Sequence, residues 1–200
     1  ISGSILYSSI IILSIALMSL TILFSNLPNF LDRNSFSSIF KNLGIELKEL
    51  FCEPDGTFPN HHPDPTVEEN LKDLISEIKN GDYDLGIAFD GDADRLGVVD
   101  ETGDIIWADQ LLAILLSDVI EKGDEVIFDV KCSQALEDVI SELGGRPVMW
   151  KTGHSLIKAK MQETGSPLAG EMSAHIFFKH RYYGYTFRCR CCSVRGNRLV

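Results

Sequence analysis

Residues 85–100 read LGIAFDGDADRLGVVD, and this stretch decides the fold. Leu85 to Phe89 is a short apolar run, and Gly97 to Asp100 is another. Runs of this length, bounded by small and acidic residues, read as β-strands. Between them Asp90, Asp92 and Asp94 alternate, followed by Arg95. Three carboxylates so close repel one another unless a cation neutralises them. Hard oxygen donors at this density suit Mg²⁺ or Ca²⁺, and Gly91 and Ala93 let the backbone turn tightly around an ion. The bland alternative is a solvated acidic turn. The flanking strands weigh against it, because they hold the acids at a fixed edge.

A calcium EF-hand is the rival metal loop. With Asp90 in the first position, Asp92 and Asp94 fall third and fifth and Glu101 falls twelfth. The sixth position calls for Gly and here holds Arg95, and the flanks read as strands where helices are needed. Arg95 points elsewhere. A guanidinium beside a metal site can pair with the acids or reach a phosphate. A metal and an Arg are the equipment of phosphoryl transfer.

Outward from this loop the chain alternates helix and strand. Glu101 to Asp104 is a turn, and Ile105 to Trp107 returns as a hairpin partner. Upstream, Val67 to Lys79 places Leu71, Leu74, Ile75 and Ile78 on one helical face, and Gly81 breaks it. Further back, Ile45 to Phe51 alternates like a strand, and Gly44 stops a helix ending near Leu43. Downstream, Asp109 to Lys122 reads as a helix with Asp109 as its cap and Gly123 at its end. Then come a strand at Val126–Val130, a helix at Ala135–Leu143, a strand at Pro147–Trp150, a helix at Ser155–Glu163 and a strand near Leu168. The order predicts an α/β protein of two layered domains, each a mixed sheet flanked by helices.

Polar clusters follow three of these strands: Asp129 to Cys132, Lys151 to Ser155, and Gly170 to His175. In open α/β sheets ligands gather outside the carboxyl ends of strands. Glu171, Ser173 and His175 alternate, so an extended segment puts them on one face, where they suit sugar hydroxyls. Lys131 and His154 supply cations or proton donors for a phosphate. Singly, each has a plain structural reading, as a surface lysine, a helix-cap residue or a strand-end charge. Their shared edge makes the functional case.

FDGDADRLGVVDETG (residues 89–103) resembles the metal loop of the α-D-phosphohexomutase superfamily. KTGHSLIKAKM (151–161) and GEMSAHIFF (170–178) resemble its sugar-binding region. DVKCS (129–133), GGRPVMWK (144–151) and FCEPDGTFPNHHPDPTVEENL (51–71) fit in the same order. The subgroup is the phosphomannomutase/phosphoglucomutase type, and the match spans roughly residues 40–185, the family's second and third domains only.

The resemblance implies an isomerase that moves phosphate between the 1- and 6-positions of mannose or glucose phosphate through a hexose 1,6-bisphosphate. It implies that Asp90, Asp92 and Asp94 hold Mg²⁺ and that Arg95 positions a phosphoserine. It gives Glu171, Ser173 and His175 to the sugar, and Lys131 and His154 to phosphate contact or proton transfer. Three departures stand out. No Ser-His-Asn-Pro type serine loop is present, and no Arg-x-Ser-Asn-Thr type phosphate loop. Ala174 stands where the family usually has Gly. The expectation is a fragment without turnover of its own.

Domain organisation follows: an apolar segment over 1–36, the metal-binding domain over 37–104, the sugar-binding domain over 105–185, and a basic, Cys-rich tail over 186–200. Residues 5–24 are long enough and apolar enough to cross a bilayer. They read as a membrane anchor, a buried element or residues foreign to the natural frame. The anchor supports the alternative of a non-catalytic, membrane-tethered sugar-phosphate-binding protein. The net charge of −11 argues against nucleic acid as a partner. The five cysteines form no disulfide or zinc pattern, which fits a reducing, cytoplasmic setting.

Overall fold

The computed structural model describes residues 46–51, 57–91 and 94–179. The apolar segment, its candidate membrane span, the basic tail and the helix expected to end at Leu43 lie outside these residues. Among the described residues no helix is long and apolar enough to cross a membrane.

A 3₁₀ turn at Glu68–Leu71 runs into helix α1, Lys72–Asn80. Strands β1 (Leu85–Phe89), β2 (Leu96–Asp100) and β3 (Ile105–Ile106) form an antiparallel sheet in that order. The turn between β2 and β3 is closed by Asp100, whose carboxylate accepts the N–H groups of Thr102 and Asp104, each at 2.9 Å. Helix α2 (Ala108–Val119) leads to the second sheet. There β4 (Glu125–Asp129), α3 (Gln134–Glu142), β5 (Arg146–Trp150), α4 (His154–Thr164), β6 (Leu168–Gly170) and β7 (Ile176–Phe178) follow in sequence. The sheet order is β5-β4-β6-β7, with β4 parallel to both neighbours and β7 antiparallel to β6.

The period-two pattern of each central strand divides its side chains between two layers. On β4, Val126 and Phe128 face α2 and α3, meeting Leu111, Leu112, Leu115, Leu116, Leu136 and Ile140. Ile127 faces the other way, onto Ile157 and Met161 of α4. The second sheet is therefore the middle of an α/β/α sandwich. On β2, Val98 joins the α2 core, while Val99 packs with Leu71 and Ile78 under α1. Leu96 and Val98 share one cluster with Leu168 and Phe178, so a single apolar core ties the two sheets together.

Four expectations need correction. Residues 46–51 form no strand; Phe51 adopts φ 52° and breaks the extension. Trp107 is not a strand residue but precedes α2, with its N–H donated back to Gln110 Oε1 at 2.9 Å. Asp109 therefore lies inside the first turn of α2 and is not its cap; its carboxylate accepts the distant Ser133 N–H at 3.0 Å. Helix α2 stops at Val119, since Ile120 is already extended at ψ 146°.

Candidate functional site

Strands β4, β5 and β6 point their carboxyl ends the same way, and the loops that leave them hold the three polar clusters. In the register Asp129 pairs with Trp150, and Phe128 with Gly170. The 151–153 loop thus leaves one side of Asp129 and the 171–175 turn leaves the other.

Asp129 is fully buried. Its Oδ2 accepts the Thr152 hydroxyl at 3.0 Å, and its Oδ1 accepts the Met172 N–H at 3.1 Å. Cys132 Sγ lies 3.3 Å from the same Oδ1, and Lys131 Nζ lies 3.9 Å from Oδ2. Burial and this neighbouring carboxylate push the Cys132 thiol pKa well up, so it is no thiolate nucleophile.

The segment from Glu171 to His175 is a tight turn, not an extended face. Glu171 N–H donates to His175 O at 2.9 Å and Ala174 N–H to Glu171 O at 3.0 Å. Ala174 sits at φ 71°, in the left-handed region. The turn still brings the three side chains together. His175 Nδ1 lies 3.1 Å from Glu171 Oε2 and 2.9 Å from Ser173 Oγ. Glu171 Oε1 also accepts the Gly153 N–H at 2.5 Å. Gly153 adopts φ 133° and ψ 117° just before α4, a conformation that glycine alone takes without strain.

The link across the lobes runs from the other imidazole nitrogen. His175 Nε2 lies 3.1 Å from Asp94 Oδ1, in the acid loop 81 residues away. Beside it, Leu96 N–H donates to Ala174 O at 3.0 Å. Burial opposes charge on His175, but the hydrogen bonds to Asp94 and Glu171 prevail and raise its pKa to about 9. The same hydrogen bond, set against burial, holds Asp94 below its ordinary range. Glu171 is lowered too: burial opposes its ionisation, while His175 and the Gly153 N–H outweigh it. The trio is an imidazolium between two carboxylates.

In the acid loop, Asp90 Oδ1 accepts the Arg95 N–H at 3.2 Å, and a hydrogen bond from Asp90 contributes to lowering Asp94. Asp92 lies outside the described residues. Among the described residues no three His, Cys, Asp or Glu side chains close on one point. The donor chemistry nevertheless fits a hard divalent ion, because Asp90 and Asp94 put carboxyl oxygens on one short loop. Arg95 is held between two acids: its buried Nε lies 3.5 Å from Asp90 Oδ2, and its terminal nitrogen lies 3.7 Å from Asp64 Oδ1.

His154 opens α4, its ring 6.1 Å from that of His175. Lys131 stands at the rim, its side chain 56% exposed. Reading residue types alone overlooked Lys158. It lies one helical turn beyond His154, over the Phe177 ring at 5.5 Å, and is half-buried. Burial lowers its pKa, and the charges of Asp94 and Glu171 oppose that. The i, i+4 spacing from His154 was the available signal. Asp64, in the segment before α1, also entered the site unannounced through Arg95.

Comparison with known proteins places this geometry. Residues 29–103 match the family profile described as phosphoglucomutase/phosphomannomutase, alpha/beta/alpha domain II. Residues 107–187 match that of domain III. A phosphomannomutase/phosphoglucomutase from Pseudomonas aeruginosa is 58% identical over 149 residues, which is 74% of this chain and 32% of that protein. A phosphoglucomutase from Neisseria gonorrhoeae is 56% identical over the same shares. The crystal structure of a phosphoglucomutase/phosphomannomutase family protein from Burkholderia thailandensis superimposes with a TM-score of 0.72 at 55% identity, over 75% of this chain and 33% of that one. The chain spans about a third of the length of the relatives it matches.

Proposed function

We infer function from one premise: the chain belongs to the phosphoglucomutase/phosphomannomutase family and carries its second and third α/β/α domains. On that premise these residues are the metal- and hexose-holding part of a Mg²⁺-dependent phosphohexomutase. The reaction moves phosphate between the 1- and 6-hydroxyls of a glucose or mannose phosphate, by way of the 1,6-bisphosphate. The observation that carries this reading is His175, whose two ring nitrogens reach Asp94 in the acid loop and Glu171 in the sugar turn. The two clusters therefore meet at one place.

Asp90, Asp92 and Asp94 would hold the Mg²⁺. When bound, the ion supplies positive charge against the phosphoryl oxygens. The chain's own residues do the rest. Glu171 and Ser173 accept and exchange hydrogen bonds with sugar hydroxyls. His175, charged, neutralises both flanking acids and keeps them aimed. Arg95, paired with Asp90 and Asp64 and about one third exposed, would turn its guanidinium to a phosphate oxygen. Lys131 and His154, at the rim, meet the substrate phosphate. Each transfer breaks one P–O bond and makes another, so no redox partner is needed. The phosphate-carrying serine is no part of the motifs in these 200 residues. We therefore assign them binding without turnover. A cytoplasmic setting goes with this reading.

Calorimetry tests this. The purified chain binds Mg²⁺ and glucose 1-phosphate, Asp92→Asn weakens the Mg²⁺ isotherm, and mannose 1-phosphate is not isomerised. Absence of Mg²⁺ binding, or an isotherm unmoved by Asp92→Asn, removes the metal assignment. Robust isomerisation removes the division of labour.

A further inference from the structure

We propose that Asp129 is the positioning residue of this site, the post that holds the 151–153 loop and the 171–175 turn in register. The inference rests on the family reading only for the ligand, not for the geometry. No motif assigns Asp129 a role, and its depth keeps it from touching substrate. It sits at the end of β4, the strand between β5 and β6, so the two loops leave the sheet on either side of it.

A carboxylate offers about four acceptor sites on two oxygens. Asp129 divides them between different loops. Oδ2 takes the Thr152 hydroxyl from the loop after β5. Oδ1 takes the Met172 N–H from the turn after β6, and Cys132 Sγ from the loop after β4. Lys131 Nζ, 3.9 Å from Oδ2, gives the buried charge a cation. A backbone hydrogen bond, from Cys132 N–H to Asp129 O at 3.1 Å, fixes the residue itself.

Directly above, Glu171 bridges the same two loops from the substrate side through the Gly153 N–H. Glu171 must also face sugar. An acid engaged by a ligand cannot by itself hold the loops that present it. Asp129, with no solvent access, keeps that geometry when Glu171 changes partners. The neighbouring α2 repeats the device, where Asp109 takes the Ser133 N–H to fix the loop after β4.

The test uses the full 200-residue chain with Asp129→Asn and Asp129→Ala. Asparagine keeps one acceptor for the Met172 N–H and presents its amide to the Thr152 hydroxyl, which can accept. Three readouts are compared: glucose 1-phosphate affinity by calorimetry well below the unfolding temperature, global stability by urea, and amide exchange by NMR. Asp129→Ala should lose affinity on the order of tenfold, with Asp129→Asn recovering much of it. Exchange at the Met172 amide should quicken in Asp129→Ala relative to the β4 core amide of Ile127. If Asp129→Ala fails to fold, the same exchange comparison is made on Asp129→Asn, where a smaller acceleration confined to the 171–175 turn is expected. Folded variants with wild-type affinity and unaltered Met172 exchange overturn the proposal. Failure of the unmodified chain to bind glucose 1-phosphate counts against the family reading alone, and the exchange measurement then decides the role of Asp129.

Discussion

Replacing His175 with Gln removes a buried positive charge from between two carboxylates, and its cost should vary with pH in one direction. The His175 side chain is 10% exposed, and that of Glu171 2%. Solvent therefore screens this interaction little. The His175 pKa rises from 6.5 to about 9 on folding, because Asp94 and Glu171 outweigh the penalty of burial. A group whose folded pKa lies above its unfolded value stabilises fully below the unfolded value. That contribution is lost as pH rises through the folded value. The window thus runs from 6.5 up to about 9. Converted at about 1.4 kcal/mol per pKa unit, the shift corresponds to about 3 kcal/mol at the acidic end.

Urea unfolding of the wild-type and His175→Gln chains, both in chelator, measures this. The destabilisation by His175→Gln should be about 4 kcal/mol near pH 6 and should shrink by about 3 kcal/mol, toward about 1 kcal/mol above pH 9, the remainder being neutral hydrogen bonding. Asp94 and Glu171 are both held below the ordinary carboxylate range, so they stay ionised across the window. Groups common to both chains cancel in the subtraction. A destabilisation that is flat with pH, or that grows as pH rises, refutes the view of His175 as an imidazolium clamp.

The remaining predictions concern backbone and packing at the same edge. A Cβ at Gly170 would lie 2.8 Å from Leu112 Cδ2, so Gly170→Ala should cost about 1–3 kcal/mol in urea unfolding. Leu112→Ala alone should cost about 2–5 kcal/mol, and the double variant should cost clearly less than the sum, because the smaller side chain makes the room. Strict additivity would contradict that contact. Ala174, buried at φ 71°, should tolerate Gly with a net change under about 1 kcal/mol, relief of left-handed strain offsetting a lost methyl contact and a freer unfolded chain. Ala174→Val should destabilise by about 2 kcal/mol or more, and a neutral Val would deny the left-handed turn. Gly153→Ala should destabilise by about 1–3 kcal/mol and weaken glucose 1-phosphate binding, since φ 133° strains any Cβ beside the Glu171 contact.

Strand β1 was legible to its ends because Leu85 to Phe89 is an apolar run closed by Asp84 and Asp90. Helix α1 was legible in its body because Leu74, Ile75 and Ile78 recur with helical period and pack with Leu71, but the start expected at Val67 is a 3₁₀ turn over Glu68–Leu71 and the helix begins at Lys72. What stayed hidden depends on partners far along the chain. Asp109 looks like a cap by residue type, yet its carboxylate serves Ser133, 24 residues on, while Gln110 tends the helix start. The turn at residues 171–175 was hidden because Ala174 carries no mark of a left-handed residue, whereas Gly or Asn would have announced one. The site survived this error for a local reason. A turn of this length returns the chain on itself, so Glu171 and His175 meet across it instead of along one face.

Electrostatics explains how an acidic chain can still gather cations at one edge. The net charge of −11 is a property of the whole surface. At this edge most of the acids have a cation beside them. Asp94 and Glu171 share His175 and lie in the field of Lys158, Asp90 faces Arg95, and Asp129 has Lys131. Arg95, Lys131 and His175 pair acids of their own loops, while His175 to Asp94 and the charge of Lys158 depend on folding. A phosphate approaching this edge meets paired charges, with Lys131 exposed at the rim. Asp64 and Asp92 leave the acids two in excess, and an added divalent ion would bring the local charge to neutral. The local balance of charge, not the global one, then governs which ligand this edge admits.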